Sequence, residues 1–202
     1  MDGVLAYWLG WMAWVMVTFF AKKTRKRVVI AANLLIVLIL LSFELTIFGY
    51  DVSGSFLFLG VCCCFELGRK KWWSLVYCGV VACIIGSAYA SFLLIVIYDP
   101  VIELMDTRLM ISAIVVLISI LTISDWRNRI LFSIVGLLQG EWMYAMVVKE
   151  LFNSTKIGGG YFFDIISVMM MISGSVWCVQ MTIRKLANFV QERKKPPIIE
   201  AS

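Results

Sequence analysis

One carboxyl group in the middle of a long apolar segment is the side chain in this sequence best suited to chemistry. Glu141 lies near the centre of the apolar stretch 130–148, where an ionisable group commonly costs ~2.5–3.5 kcal/mol on insertion scales. Tyr144 follows three positions later and shares its helical face, whereas Gln139 lies on another part of the helix. Glu141 could therefore bind a proton, a cation or part of a substrate. It could equally be a neutral carboxylic acid hydrogen-bonded to a neighbouring helix.

Two further acidic residues within apolar stretches have simpler interpretations. Glu44 lies near the outer end of its stretch, from which its carboxylate could reach the lipid headgroups. Glu66 precedes Arg69 and Lys70 by three and four positions, so we expect it to pair with them along its own helix. The candidate intramembrane polar site therefore consists of Glu141, Tyr144, Gln139 and Glu44.

The sequence lacks the residues that many enzymes and cofactor sites require. It contains no histidine, which excludes histidine-based catalysis, haem ligation by imidazole and most zinc sites. It also has no phosphate-binding loop, dinucleotide fingerprint or nucleophile elbow. The six cysteines lie in apolar stretches without metal-site spacing: Cys62, Cys63, Cys64, Cys78, Cys83 and Cys178. We expect no cofactor, no metal and no enzymatic activity.

The composition is that of a membrane protein. Of the 202 residues, 62% are hydrophobic and 15% are charged, whereas soluble domains are nearer ~45–50% apolar and ~25% charged. A membrane-spanning helix needs ~20 mostly apolar residues, so the chain has room for about seven crossings and none for a separate catalytic domain. The net charge of +5 is divided among the segment ends. It therefore predicts anionic lipid headgroups, and not nucleic acid, as counterions.

The distribution of positive charge indicates the topology. Fifteen of the 18 lysines and arginines lie in four clusters, at 22–27, 69–71, 127–129 and 184–195. The cytoplasmic segments of multi-pass proteins carry such an excess of positive charge. With all four clusters in the cytoplasm, the N-terminus lies outside and the C-terminus inside, which requires an odd number of crossings.

Seven apolar segments satisfy that requirement, so we predict an all-α fold, a single transmembrane domain over 1–202 built as a bundle of seven helices. The predicted spans are 4–21, 28–48, 52–67, 72–98, 109–124, 130–148 and 162–183, followed by a basic cytoplasmic tail, 184–202. The third span is the least apolar, because its clearly apolar part covers only 56–65. Its crossing is nevertheless required, since the cluster at 69–71 would otherwise lie outside.

Small residues predict where the helices touch, because lipid provides no hydrophobic drive between helices and close packing must contribute. Within 72–98, two rows of small residues repeat every four positions: Gly79, Cys83, Ser87 and Ser91, and Ala82, Gly86 and Ala90. Gly136 and Gly140 have the same spacing in 130–148. We expect the fourth helix to be central, with a neighbour on each of its two small faces.

The chain begins with a very short outer tail and an aromatic first segment that ends in Phe19, Phe20, Ala21 and a basic block. In this layout and in its length, the chain resembles the YphA-type membrane proteins of spore-forming Bacillus relatives. The resemblance implies a multi-pass protein of the bacterial cell membrane with a connection to sporulation or spore-envelope assembly. It assigns no functional residues.

Three functions are compatible with these observations. The first is a non-enzymatic interaction or assembly protein that binds other membrane proteins. The second is a small transporter, channel or lipid carrier that works through Glu141. The third, an intramembrane enzyme, is disfavoured by the missing histidine and the scarcity of paired carboxylates. The interaction or assembly protein is our working hypothesis.

Overall fold

The protein is a bundle of seven helices over the part of the chain that the computed structural model describes, residues 2–47, 49–99, 101, 103, 105–152 and 156–194. The helices are α1 (Val4–Phe20), α2 (Arg25–Leu40), α3 (Gly54–Gly68), α4 (Trp72–Tyr98), α5 (Thr107–Thr122), α6 (Trp126–Phe152) and α7 (Gly160–Lys194). Three short strands lie in the connections: β1 (Glu44–Ile47), β2 (Tyr50–Ser53) and β3 (Lys156–Ile157).

Three of these helices, α4, α6 and α7, are long and apolar enough to cross a membrane within the described residues. Helices α1, α3 and α5 are also apolar but have only 15–17 residues each. The prediction of a mostly helical bundle with several apolar helices is therefore confirmed.

The prediction of an all-α chain is wrong for two connections. Strands β1 and β2 form an antiparallel hairpin in which Ile47 is opposite Tyr50, and β3 adds to β2 in parallel. Residue Gly49 in the hairpin loop has a φ of 76°, which glycine adopts without strain. The sequence around it contains the β-branched residues Thr46, Ile47 and Val52, which favour strands. Pairing in a sheet satisfies the backbone N–H and C=O groups of this connection.

The helix bounds differ most from the predicted spans in α2 and α7. Helix α2 ends at Leu40, so the outer part of the predicted second span, up to residue 48, is not helical where it is described and contains β1 instead. Helix α7 continues to Lys194, through half of the segment predicted as a basic tail. Residues 195–202 of that tail lie outside the described part of the chain. The fourth predicted span, 72–98, coincides with α4.

Helices α4 and α6 form the centre of the bundle. Helix α5 packs against α4, α6 and α7, while α1 packs against α2 and α7, and α3 against α2 and α6. The core between them contains aromatic and aliphatic side chains, and those with no accessible surface include Ile85, Val115, Leu137, Ile165 and Met169. Because lipid provides no hydrophobic driving force for helix association, close packing of these side chains stabilises the bundle.

Glycines allow the backbones of α4 and α6 to touch. A Cβ atom added at Gly140 would lie 2.7 Å from the carbonyl oxygen of Gly86, and one at Gly86 would lie 3.0 Å from the carbonyl oxygen of Gly136. Only one of the two small faces predicted for α4 is used in this way. The other face, from Gly79 to Ser91, is exposed on the surface of the bundle.

We predict that Gly140→Ala destabilises the bundle, because the added methyl group must separate two backbones that are in contact. The expected loss is ~1–3 kcal/mol in the free energy of unfolding, measured by denaturant titration in mixed micelles. Gly79→Ala is the matched control, since a Cβ there meets no atom within 4 Å. Equal stability of the two variants would contradict the glycine contact.

Candidate functional site

The candidate residues gather at one end of the bundle, which we call the sheet end. It comprises strands β1–β3 and the first turns of α1, α5 and α7. Lys156 of β3 forms an ion pair with Glu44 of β1 across this end, with 3.2 Å between Nζ and Oε1. Lys149 of α6 donates to the carbonyl oxygen of Gly49 and lies 3.6 Å from the ring centre of Tyr50. Lys149 thus attaches the sheet to α6, and the pair of Glu44 and Lys156 joins the two outer strands.

Glu141 lies inside the sheet end with 7% of its surface exposed. Its Oε2 atom accepts a hydrogen bond from the hydroxyl of Tyr89 on α4 at 2.6 Å. Its Oε1 atom accepts one from the backbone N–H of Gly158 at 3.0 Å. One carboxyl group therefore joins α6 to α4 and to the segment that leads into α7.

The backbone around Gly158 explains how its N–H reaches Glu141. Gly158 follows β3 directly and has a φ of 67°, which L-amino acids rarely adopt. A Cβ atom there would lie 2.5 Å from the Cβ atom of Phe56. Because β3 is paired with β2, the sheet fixes the position from which this N–H donates.

A cavity of about 390 Å³ adjoins Glu141 at the sheet end. Tyr144 lines it on the same helix, and Glu44 lines it from β1. Gln139 does not line it, because its amide nitrogen is directed to the sulfur of Cys83 at 3.3 Å on the outside of α4. Three of the four residues proposed from the sequence therefore border one cavity. Glu44 does so from a strand and not from a helix end.

A larger concavity, of about 890 Å³, runs along α3 between Phe56 and Arg69. It is an open groove with almost entirely apolar walls. None of the candidate polar residues lines it, and its apolar walls are suited to contact with lipid chains. The smaller cavity beside Glu141 is the candidate site.

A second buried carboxylate, Asp164 of α7, has no accessible surface. Its oxygens accept hydrogen bonds from the backbone N–H groups of Gly3 at 2.9 Å and Ala6 at 2.7 Å. Gly3 is the N-cap residue of α1 and has no side chain that could cap the helix. Asp164 therefore performs the capping from another helix, and its negative charge faces the positive end of the α1 dipole.

Arg108 on α5 neutralises Asp164. Its Nη1 atom lies 3.1 Å from Oδ2 of Asp164, and its Nη2 atom lies 3.1 Å from Oδ1 of Asp2. The guanidinium group also stacks on the ring of Tyr161, 5.0 Å from the ring centre. The group of Asp164, Arg108, Gly3 and Ala6, which we call the Asp164 lock, thus joins α1, α5 and α7.

Sequence reasoning did not single out Asp164 or Tyr89. Asp164 lies within the predicted span 162–183, so the rule that drew attention to Glu141 also applied to it. Arg108 was the available partner, as the one basic residue between the predicted spans 72–98 and 109–124. Tyr89 carried no such signal, because a tyrosine within an apolar helix is common.

Comparison with known proteins identifies the family. The model of the YphA-like integral membrane proteins matches residues 2–197. The chain belongs to the YphA-like integral membrane protein family. Uncharacterized protein YphA from Bacillus subtilis (strain 168) is 28% identical over 175 residues, which cover 85% of each chain. No solved structure matches the chain.

Membership of the YphA-like family confirms the resemblance drawn from the layout of the sequence. It also establishes that the apolar helices belong to a multi-pass protein of the cell membrane. The site of this YphA-like protein offers one buried carboxyl group and tyrosine side chains in a cavity. In the described residues, no three acidic or cysteine side chains are arranged to hold a metal ion.

We predict that Asp164→Asn lowers the free energy of unfolding by ~3–5 kcal/mol, because it leaves Arg108 without its buried counter-charge. The asparagine side chain also has only one oxygen, so its NH2 group faces the backbone N–H of either Gly3 or Ala6 and that hydrogen bond is lost. Denaturant titration in mixed micelles measures the change.

The matched control for this prediction is Glu66→Gln, which breaks an exposed ion pair with Arg69 at 3.5 Å. Such pairs contribute ~0–1 kcal/mol. If Asp164→Asn and Glu66→Gln lower the free energy of unfolding by the same amount, the Asp164 lock does not hold the helix starts together.

Proposed function

We propose that the chain crosses the membrane seven times, with the sheet end outside and the basic clusters in the cytoplasm. Contacts at the end opposite the sheet support this arrangement. Lys70 donates to the side chain of Asn128 at 2.5 Å, so two of the basic clusters meet there. Trp126, beside the third cluster, packs on Trp177, which precedes the fourth cluster on α7. Anionic lipid headgroups are the proposed counterions at this end.

The shorter helices are compatible with seven crossings. At ~1.5 Å per residue, the 15 residues of α3 extend about 22 Å, which is less than the ~30 Å of a typical hydrocarbon core. A short span is accommodated by local thinning of the bilayer and by long flanking side chains. Arg69, Lys70 and Lys71 directly follow α3 and can supply that adjustment.

We predict that reporter fusions give a seven-crossing pattern. Alkaline phosphatase fused after residue 70 should be inactive, because that position is cytoplasmic, whereas fusions after residues 50 and 105 should be active. A green fluorescent protein at the C-terminus should fluoresce. An active fusion after residue 70 would remove the third crossing and contradict the proposed topology.

For the function, we propose a non-enzymatic membrane protein that binds a partner at its sheet end. The observation that supports this most is the way in which both buried carboxyl groups are used. Asp164 and Glu141 each accept backbone N–H groups and join helices to one another. These hydrogen bonds make the sheet end a fixed surface. A fixed surface suits recognition of a partner better than it suits the alternating access of a carrier.

A partner at this end would meet an exposed strand edge. Strand β1 is the outer strand of the sheet, and its Leu45 is 49% exposed. An exposed strand edge with apolar side chains favours pairing with another polypeptide. The family resemblance adds the proposal that this partner is used in spore-envelope assembly.

A carrier for a small solute is the second candidate function. The cavity beside Glu141 is the observation that favours it, since intramembrane carboxyl groups commonly serve transport of protons or cations. This candidate requires that substitution of Glu141 abolishes flux in liposomes while the protein still folds.

We predict that a photo-crosslinking residue in place of Leu45 yields one discrete protein adduct in cells. The same residue in place of Phe65 is the matched control, because Phe65 is 75% exposed on α3 near the opposite end and should label lipid only. Running both in growing and in sporulating cells tests the connection with sporulation.

The two candidate functions give opposite results with Glu141→Gln. A partner-binding protein should retain the Leu45 adduct and show no solute flux with either form in liposomes. Absence of a protein adduct at position 45, together with solute flux that Glu141→Gln abolishes, would contradict the interaction proposal and favour the carrier.

A further inference from the structure

The cavity beside Glu141 has the dimensions and walls of a small-molecule site. Its volume of about 390 Å³ falls in the range of ~300–1,000 Å³ that is usual for ligand pockets. Leu93, Val148 and Phe162 provide apolar wall, and Tyr144 and Tyr161 provide aromatic rings with hydroxyl groups. A ligand that fits must therefore combine an apolar part with a polar group.

The charges around the cavity determine the sign of that polar group. Three carboxyl groups border it, and two of them have cationic partners: Asp2 pairs with Arg108 at 3.1 Å and Glu44 with Lys156 at 3.2 Å. Glu141 is bonded by two neutral donors and forms no ion pair within the described residues. A buried carboxylate without a counter-charge favours a positively charged ligand and disfavours an anionic one.

The described acidic and cysteine side chains form no group of three with metal-site geometry, so an ammonium group fits this cavity better than a coordinated metal ion does. An ammonium group needs fewer fixed ligands. It offers three N–H donors to one carboxylate and to hydroxyl oxygens, and it is attracted to the faces of aromatic rings.

We propose that this cavity binds a primary ammonium group attached to a short apolar chain. The ammonium contacts Glu141 and the hydroxyl of Tyr144, and the chain packs against Leu93, Val148 and Phe162. The inference is independent of partner binding at β1 and rests only on the cavity. The ammonium group can belong to a water-soluble amine or to a lipid headgroup.

The test uses the full-length protein in nanodiscs of phosphatidylglycerol, a lipid without an ammonium group. Butylamine at pH 7 should bind with a dissociation constant on the order of 1 mM, as expected for so small a ligand. It should raise the melting temperature by about 2 °C or more at tenfold excess over that constant. 1-Butanol and butyrate, which keep the chain and change the charge, should bind at least tenfold more weakly. Equal binding of butanol would overturn the proposal.

Two variants locate the site. Glu141→Gln should weaken butylamine binding at least tenfold, with circular dichroism and monodispersity as checks of folding. If Glu141→Gln does not fold, Gly159→Leu tests the site instead. Gly159 lines the cavity, and a Cβ there meets no atom within 4 Å, so its side chain enters open space. Gly174→Leu is the matched control on α7, with equally open surroundings. Unchanged binding in Gly159→Leu would overturn the proposal.

The lipid composition then separates the two sources of the ammonium group. If the natural ligand is a headgroup, nanodiscs of phosphatidylethanolamine should stabilise the wild type and compete with butylamine, and Gly159→Leu should abolish both effects. If butylamine binds equally well in both lipids, the ligand is a water-soluble amine. Absence of butylamine binding in nanodiscs of phosphatidylglycerol contradicts the inference.

Discussion

Backbone N–H groups at the start of a helix have no partners within that helix, and at a membrane they must find them in the protein. This constraint explains why carboxylates are bonded to the helix starts at the sheet end. Helix α1 begins at a glycine that cannot cap it, and the carboxylate of Asp164 accepts its N–H groups instead. Asp106 caps α5 through the N–H of Arg108. Each carboxylate also faces the positive end of a helix dipole. The position of α1 depends on this pairing.

Glu141 applies the same chemistry to a neighbouring segment, since it accepts the N–H of Gly158 just before α7. The difference between the two carboxyl groups is their counter-charge. Asp164 has Arg108, whereas Glu141 has only neutral donors within the described residues. Glu141 thus lies beside a cavity without a cationic partner among the described residues, and this difference carries our proposal of a ligand site. We therefore propose that Asp164 serves the stability of the bundle and that Glu141 serves ligand binding.

The sequence was sufficient for the class of protein and for most helices, because apolar runs and basic clusters are local signals. Span 72–98 coincides with α4, and the glycines of α4 and α6 meet as their spacing indicated. The strands were not predicted, since residues 44–47 continue an apolar run and the third strand, β3, lies more than 100 residues from its partner β2 in the sequence. The Asp164 lock was also missed, because its partners are 161 and 158 positions away in the sequence.

Hydrogen exchange at the start of α1 tests most directly whether Asp164 caps this helix from α7. The amides of Gly3 and Ala6 should exchange as slowly as those in the core of α7. The amides at the start of α2 are the internal reference, because its N-cap residue Thr24 makes no side-chain capping bond. Slow exchange at Gly3 and Ala6 with fast exchange at the start of α2 is the predicted result. Equally fast exchange at both helix starts would contradict the account.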